Sequence, residues 1–201
     1  MPQILTVQCC IVGGGPAGMM LGYLLGRAGV NTVVLEKHVD FLRDFRGDTV
    51  HPSTMQIMQE LGLLEDFLKR PHSRIPSFSA EVGRLTFRIA DFARVPTSCR
   101  FIALMPQWDF LNFLLEKGRR FPRLRILMQA QVMGLIRTAG RFSGVEVTTP
   151  DGPLRRSTPA SWSAVTVARR PCARRLLYRS RIWGLRLTCS GSVSRNDLAI
   201  R

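Results

Sequence analysis

Gly13, Gly15 and Gly18 stand in a G-x-G-x-x-G spacing within Gly13-Gly14-Gly15-Pro16-Ala17-Gly18, and Glu36 follows 23 residues after Gly13. These residue types at these distances suit the pyrophosphate and ribose of a dinucleotide. The first glycine permits a tight strand-to-helix turn, the second lets the backbone approach the pyrophosphate, and the third lets the helix lie close on the strand. The helix then turns its N–H groups and the positive end of its dipole toward phosphate. A carboxylate at position 36 accepts hydrogen bonds from ribose hydroxyls, which suits NAD or FAD and disfavours a 2′-phosphate. Lys37 follows directly, so charge alone leaves the choice of dinucleotide open.

Other chemistry is sparse. His38, His51 and His72 form no metal spacing and no triad with a Ser or Cys, and read as surface or helix-terminus residues. No catalytic side chain is identified. The five cysteines (Cys9, Cys10, Cys99, Cys172 and Cys189) contain no C-x-x-C pair. Buried reduced thiols are expected rather than a zinc site or a disulfide framework.

The elements that must position the glycine loop are readable around it. Residues 4–12 form an apolar run that fits one strand buried on both faces. From Pro16 the pattern turns helical, with Met19, Leu21, Leu24, Leu25 and Ala28 as its apolar face and Gly29 as a stop. Asn31 belongs to the turn that follows, and Thr32-Val33-Val34-Leu35 reads as a second buried strand. Together these make a βαβ unit. A second helix opens at Pro52-Ser53-Thr54 with Met55, Met58 and Leu61 inward and Gly62 near its end. Leu85, Phe87 and Ile89 alternate as in a half-buried strand. A third helix is expected over 107–117, with Trp108, Leu111 and Leu115 on one face. Residues 132–137 and 142–149 read as a hairpin, and Asp151-Gly152 as another turn.

Charge is distributed unevenly. The chain has 29 basic and 14 acidic residues, a net of +15, yet residues 154–201 alone hold 11 basic residues and the single acid Asp197. Such an excess points to nucleic acid, a membrane surface or another acidic partner. The segment lacks basic stripes interleaved with aromatics at a helical or strand period, so no nucleic-acid or membrane partner is expected. There is no signal-peptide pattern and no run of membrane-spanning length, and a cytoplasmic location is the default.

Residues 4–153 resemble the flavoprotein aromatic hydroxylases of the para-hydroxybenzoate hydroxylase type. The likeness rests on V-G-G-G-P-A-G-M-M-L-G-Y-L-L-G-R-A-G-V-N-T-V-V-L-E-K, on F-R-G-D-T-V-H-P-S-T-M-Q-I-M-Q-E-L-G-L (residues 45–63) and on P-Q-W-D-F-L-N-F-L-L (residues 106–115). The resemblance implies an α/β, Rossmann-like FAD-binding fold with a small β-hairpin or meander insertion, and FAD as the cofactor. It implies that Gly13, Gly14, Gly15, Pro16, Ala17, Gly18, Glu36 and Lys37 surround the ADP half. Arg46 matches an arginine that contacts FAD, Gln107 the glutamine of a Q-x-x-L motif, and Val132 a strand residue whose backbone meets the adenine. Leu111 lies one residue beyond the Q-x-x-L spacing, so Phe110 fills the apolar slot. It further implies NAD(P)H as co-substrate, O₂, and a small organic, aromatic-type substrate. The bland readings are a surface arginine, a solvated helix start and a plain core valine.

After Asp151-Gly152 the family continues with an L-V-G-A-D-G segment that closes over the flavin, and none is readable here. Joining the last base of each codon to the first two of the next, residues 161–173 permit L-V-G-G-D-G-R-P-S-T-V-R. In that same frame, residues 183–193 permit G-L-T-P-D-V-L-W-F-R. The expectation is therefore 1–153 as the front part of a FAD-binding domain and 154–201 as an irregular, out-of-frame, poorly ordered basic tail. A shifted frame closed by stops in the DNA of this locus would end that account. On this reading the chain retains FAD weakly and does not hydroxylate. Two alternatives stand beside it: an NAD-dependent Rossmann reductase or dehydrogenase, and a basic nucleic-acid or membrane-surface binder acting through residues 154–201.

Overall fold

The computed structural model describes residues 3–42, 48–82, 84–138, 141–157, 181–182 and 185–186. In chain order these form β1 (Gln3–Ile4), β2 (Cys9–Val12), α1 (Pro16–Arg27), β3 (Thr32–Leu35), β4 (Thr49–Val50), α2 (Pro52–Glu60), α3 (Leu64–Leu68) and β5 (Ser73–Ile75). There follow β6 (Ser77–Val82), β7 (Leu85–Asp91), β8 (Ile102–Leu104), α4 (Gln107–Gly118), β9 (Leu124–Leu127), β10 (Gln131–Thr138), β11 (Arg141–Thr149) and β12 (Gly152–Ser157). Two short strands, β13 (Arg181–Ile182) and β14 (Leu185–Arg186), pair with each other. The chain divides into one unit of Met1–Asp40 with Leu114–Arg201 and a second of Phe41–Phe113.

In the first unit, β2, β3 and β9 make a parallel sheet in that order, with Cys9 opposite Thr32 and Thr32 opposite Leu124. β10, β11 and β12 form an antiparallel meander, and β1 joins it parallel to β12. The expected hairpin is thus present, and the chain turns at Asp151-Gly152 into a third strand that runs to Ser157. Val7, Cys10, Val33, Leu35, Ala130, Val145 and Val147 make one buried cluster drawn from both sheets.

The single strand expected over 4–12 is two pieces in different sheets. Polar residues between them explain the break. Gln8 N–H donates to the Asn31 carbonyl at 2.8 Å, Asn31 N–H donates back to Gln8 Oε1 at 2.9 Å, and the Asn31 amide reaches the Thr6 carbonyl at 3.3 Å. These bonds satisfy the backbone where the chain leaves one sheet for the other.

The inward face of α1 also differs from expectation. Gly18, Met19, Gly22, Tyr23 and Gly26 are buried, while Leu24 and Ala28 are exposed. A row of glycines carries no hydrophobic signal, yet it lets the helix backbone approach the sheet. A Cβ at Gly22 would lie 2.6 Å from Val34 Cγ2, and one at Gly26 would lie 2.9 Å from Leu124 Cβ. Gly26→Ala is expected to lower stability by about 1–2 kcal/mol, overpacking outweighing the better helix propensity of alanine. A urea midpoint equal to or above that of the parent would contradict this.

Cys9, Cys10 and Cys99 are buried thiols, with no disulfide among the described residues. Burial, and secondarily its neighbour Cys10, push the Cys9 thiol up from 9.0 to about 11. The folded state holds this proton more tightly than the unfolded chain. The thiol's contribution is therefore complete below pH 9 and is lost as pH rises through about 11. The loss is on the order of 2–3 kcal/mol. Equilibrium unfolding between pH 8 and 11 should show it, and Cys9→Ala should flatten the dependence.

In the second unit, β4, β8 and β5 form an antiparallel sheet. Met55 and Met58 of α2 are buried as expected, and Phe67 of the unanticipated α3 packs edge-on against Phe110 and Phe113 at 5.8 and 5.3 Å. The third helix expected over 107–117 is α4, its inward residues led by Phe110 and Leu111. The alternating strand exists as β7, paired with β6, but it is not half-buried: Leu85, Phe87 and Ile89 are 63%, 52% and 69% exposed. Alternation decides which side chains share a face and says nothing of what covers it.

The expectations for Arg46 and for most of the 154–201 segment lie outside the described residues. Among the described residues, no helix is long and apolar enough to cross a membrane, and no group of three or more His, Cys, Asp or Glu could hold a metal ion.

Candidate dinucleotide site

The parallel sheet and α1 build the site from its glycines outward. Gly13 leaves β2 with φ at +111°, a conformation side chains rarely adopt, and its N–H donates to the Leu35 carbonyl at 2.8 Å. That bond carries the ladder between β2 and β3 into the loop. Gly15 then caps α1 with no side-chain hydrogen bond, Pro16 opens the helix, and no acidic residue stands in its first turn. The helix terminus is thus uncapped by side chains and keeps its positive end. A Cβ at Gly15 would meet nothing within 4 Å, whereas one at Gly18 would run into the Gly13 carbonyl oxygen. One glycine faces open space and the other is needed for the fold.

Glu36 directly follows β3 and is only 2% exposed. Its carboxylate accepts the Gly14 N–H at 2.7 Å on one oxygen and the His38 N–H at 3.1 Å on the other. Gly14 is buried against it: a Cβ there would lie 3.0 Å from both Cβ and Oε2 of Glu36. The structure therefore brings the loop and the acid into direct contact. Ala17 and Lys37 are exposed beside them.

The backbone of Glu36 is held from the other side by a turn that the sequence does not announce. Gln129 adopts a positive φ of 53°, donates its N–H to the His38 carbonyl at 2.9 Å, and leads into Ala130, whose N–H donates to the Glu36 carbonyl at 2.8 Å. Glutamine has no special preference for this conformation, so no local signal marked it. The same turn starts β10, where Val132 lies opposite Val147 at a register shift and packs half-buried on the core.

Gln107 is the first residue of α4 and belongs to the unit of Phe41–Phe113. Phe110 and Leu111 are both buried, so the longer spacing still supplies an apolar residue three places on. His51 precedes α2 as its cap residue, and His38 is exposed. His72 stacks on Phe101, with its Nδ1 at 2.7 Å from the Arg70 carbonyl oxygen and its Nε2 accepting from Arg74 at 3.3 Å. Of the three, His38 joins the site, through its backbone N–H to Glu36.

Residues 6–154 match a family described as FAD binding domain. The chain is 32% identical over 136 residues to 6-methylpretetramide 4-monooxygenase of Streptomyces rimosus, covering 68% of this chain and 32% of that enzyme. It is 29% identical over 161 residues to 3-(3-hydroxy-phenyl)propionate/3-hydroxycinnamic acid hydroxylase of Klebsiella pneumoniae, covering 78% of this chain and 28% of that enzyme. The crystal structure of p-nitrophenol 4-monooxygenase PnpA from Pseudomonas putida superimposes with a TM-score of 0.67 at 26% identity, covering 81% of this chain and 41% of that one. The chain thus spans about a third of the length of the curated relatives it matches.

Proposed function

This chain belongs to the family of FAD-dependent aromatic hydroxylases and monooxygenases, through their FAD-binding domain, and from that premise we propose an NAD(P)H-dependent flavoenzyme that hydroxylates a small organic substrate with O₂. FAD is the cofactor of the family, and the ADP half is the part this chain is built to hold. The observation that carries the reading is the contact of a buried carboxylate with the glycine loop, Glu36 to Gly14 at 2.7 Å, next to an uncapped helix terminus.

The residues fit the group. Gly15 offers a face without a side chain, so a pyrophosphate approaches the backbone and the N-terminus of α1. Each carboxylate oxygen accepts more than one hydrogen bond. Glu36 would therefore accept from ribose hydroxyls while its two oxygens hold the Gly14 and His38 N–H groups. The Gln129–Ala130 turn borders the Glu36–His38 backbone, and Val132 follows it on β10 as the residue proposed, by resemblance, to meet the adenine through its backbone. Arg46, Lys37 and Gln107 complete the proposed set through contacts with the cofactor. When bound, FAD supplies the redox chemistry, accepting reducing equivalents and delivering them to O₂. The protein positions it and keeps its phosphates and ribose paired. The NAD-dependent Rossmann reading leaves the segments around Arg46 and Gln107 without a role.

Titration of the 201-residue chain with FAD and with NAD⁺, followed by flavin fluorescence and by protein fluorescence, tests this. Saturable binding of FAD in preference to NAD⁺ is expected. Gly15→Ala should leave the unfolding midpoint within about 1 kcal/mol of the parent, because its Cβ meets no protein atom. It should weaken FAD at least tenfold, because that Cβ occupies the face offered to phosphate. Preference for NAD⁺, or undiminished FAD binding by Gly15→Ala, would sink the assignment.

A further inference from the structure

Gln129 stands, beside the acid of the nucleotide site, in a backbone conformation that its own side chain disfavours. Among the described residues it is the one residue other than glycine with a positive φ, 53°. A glycine would take that conformation without steric cost. Residues held in such sparsely populated regions persist where their surroundings over-determine them, and they collect at ligand sites. The surroundings here are two hydrogen bonds: Gln129 N–H donates to the His38 carbonyl at 2.9 Å, and Ala130 N–H to the Glu36 carbonyl at 2.8 Å. These bonds fix the backbone and require no particular side chain at position 129. Ala130 is 2% exposed, whereas Gln129 is exposed, and among the described residues its side-chain amide makes no hydrogen bond. The turn thus holds an unpaired amide next to the carboxylate proposed to take the ribose.

We propose that the Gln129 side-chain amide is a contact for the adenine of FAD, an inference that rests on the FAD reading of Glu36. The base is bonded to the ribose, so ribose hydroxyls at the Glu36 carboxylate bring the base close to that residue. Gln129 is tied to the same stretch by the two backbone bonds, and a glutamine side chain is long enough to reach across it. The chemistry favours the base over the ribose as its partner. Glu36 is an acceptor and suits hydroxyl protons, while an amide carries a donor and an acceptor side by side. Adenine presents the complement, an amino group beside a ring nitrogen, as in the pairing of glutamine with adenine on DNA. Gln129 therefore distinguishes adenine from a base without that amino group, and a glycine at this position would leave that edge to water.

The test measures stability and binding separately in Gln129→Gly of the 201-residue chain. Its urea midpoint should equal or exceed that of the parent, because glycine relieves the positive φ and keeps the N–H that bonds to His38. FAD affinity, followed by flavin fluorescence, should fall about tenfold with the loss of two neutral hydrogen bonds. ADP and purine riboside 5′-diphosphate, which lacks only the 6-amino group of ADP, then read the base alone. The parent should prefer ADP, and Gln129→Gly should narrow that preference about fivefold. A purely structural role for the turn would leave this ratio unmoved. Undiminished FAD affinity in Gln129→Gly, or an unchanged preference for ADP, overturns the proposal. So does a lowered midpoint accompanying the loss of binding, which would make Gln129 a structural residue of its turn. A parent that binds neither FAD nor ADP overturns the dinucleotide reading and this contact together, whereas a parent and a variant that bind equally well remove this contact alone.

Discussion

Gly18→Ala is expected to destabilise the chain by about 3–5 kcal/mol, a large part of the 5–15 kcal/mol that holds a typical domain together. The cause is one methyl group with no room. Its carbon would fall on the carbonyl oxygen of Gly13, with Ile11 Cγ2 3.3 Å away on the side of the sheet. A flexible side chain at that distance would rotate aside, but a backbone oxygen moves only with the turn that carries it. That turn is constrained as well, because Gly13 sits at a positive φ with its N–H bonded to Leu35. Relief must come from lifting α1 off the sheet, which uncovers Ile11 and Val34, both fully buried. Urea or thermal unfolding of the purified variant measures the effect. A midpoint within about 1 kcal/mol of the parent would show that the loop relaxes without moving the helix. Comparison with Gly15→Ala makes the result specific, since one glycine is expected to matter for the fold and the other for the ligand.

Replacing Glu36 has two separable consequences. In Glu36→Ala, the Gly14 and His38 N–H groups lose the acceptors they have at 2.7 and 3.1 Å, at a site almost closed to water. An unsatisfied buried donor costs about 1–3 kcal/mol, so a loss of about 2–4 kcal/mol in stability is expected. The second consequence is for the cofactor. Hydrogen bonds from ribose hydroxyls to a charged acceptor contribute about 1.5–3 kcal/mol, which corresponds to roughly 10- to 100-fold in FAD affinity. Glu36→Gln keeps one oxygen acceptor and places an amide N–H₂ where the second donor points. It should therefore be less destabilised than alanine and still impaired in binding. Fluorescence titration with FAD, paired with unfolding of each variant, separates the two effects. If both variants are destabilised yet bind FAD as the parent does, Glu36 is a structural tie for the loop and the proposed ribose contact is wrong.

Much of this site was legible before any coordinates. The loop from Gly13 to Gly18 and the acid at the end of the second strand follow from local steric and electrostatic demands, and local demands are written in consecutive residues. Met55, Met58 and the helix from Gln107 onward were readable because amphipathic spacing leaves a periodic trace. The misreadings have the opposite character. Glycines at 22 and 26 form the buried face of α1, but glycine carries no hydrophobic weight, so Leu24 looked inward when it is 39% exposed. Residues 4–12 looked like one strand because both halves are apolar; what divides them is a set of bonds to Asn31, more than twenty residues away.

With FAD implied only by the resemblance of its neighbouring segments to a known family, the sequence by itself determined the βαβ unit, its glycine loop and the acid at its end. It did so because spacing, turn geometry and the placement of one acid are short-range requirements. Tertiary structure alone decided that Glu36 accepts the Gly14 N–H, that Gln129 takes a positive φ to tie β10 to the Glu36–His38 backbone, and that Leu85, Phe87 and Ile89 face outward. Each of these depends on which distant residue fills the adjoining space, and no window along the chain contains that information.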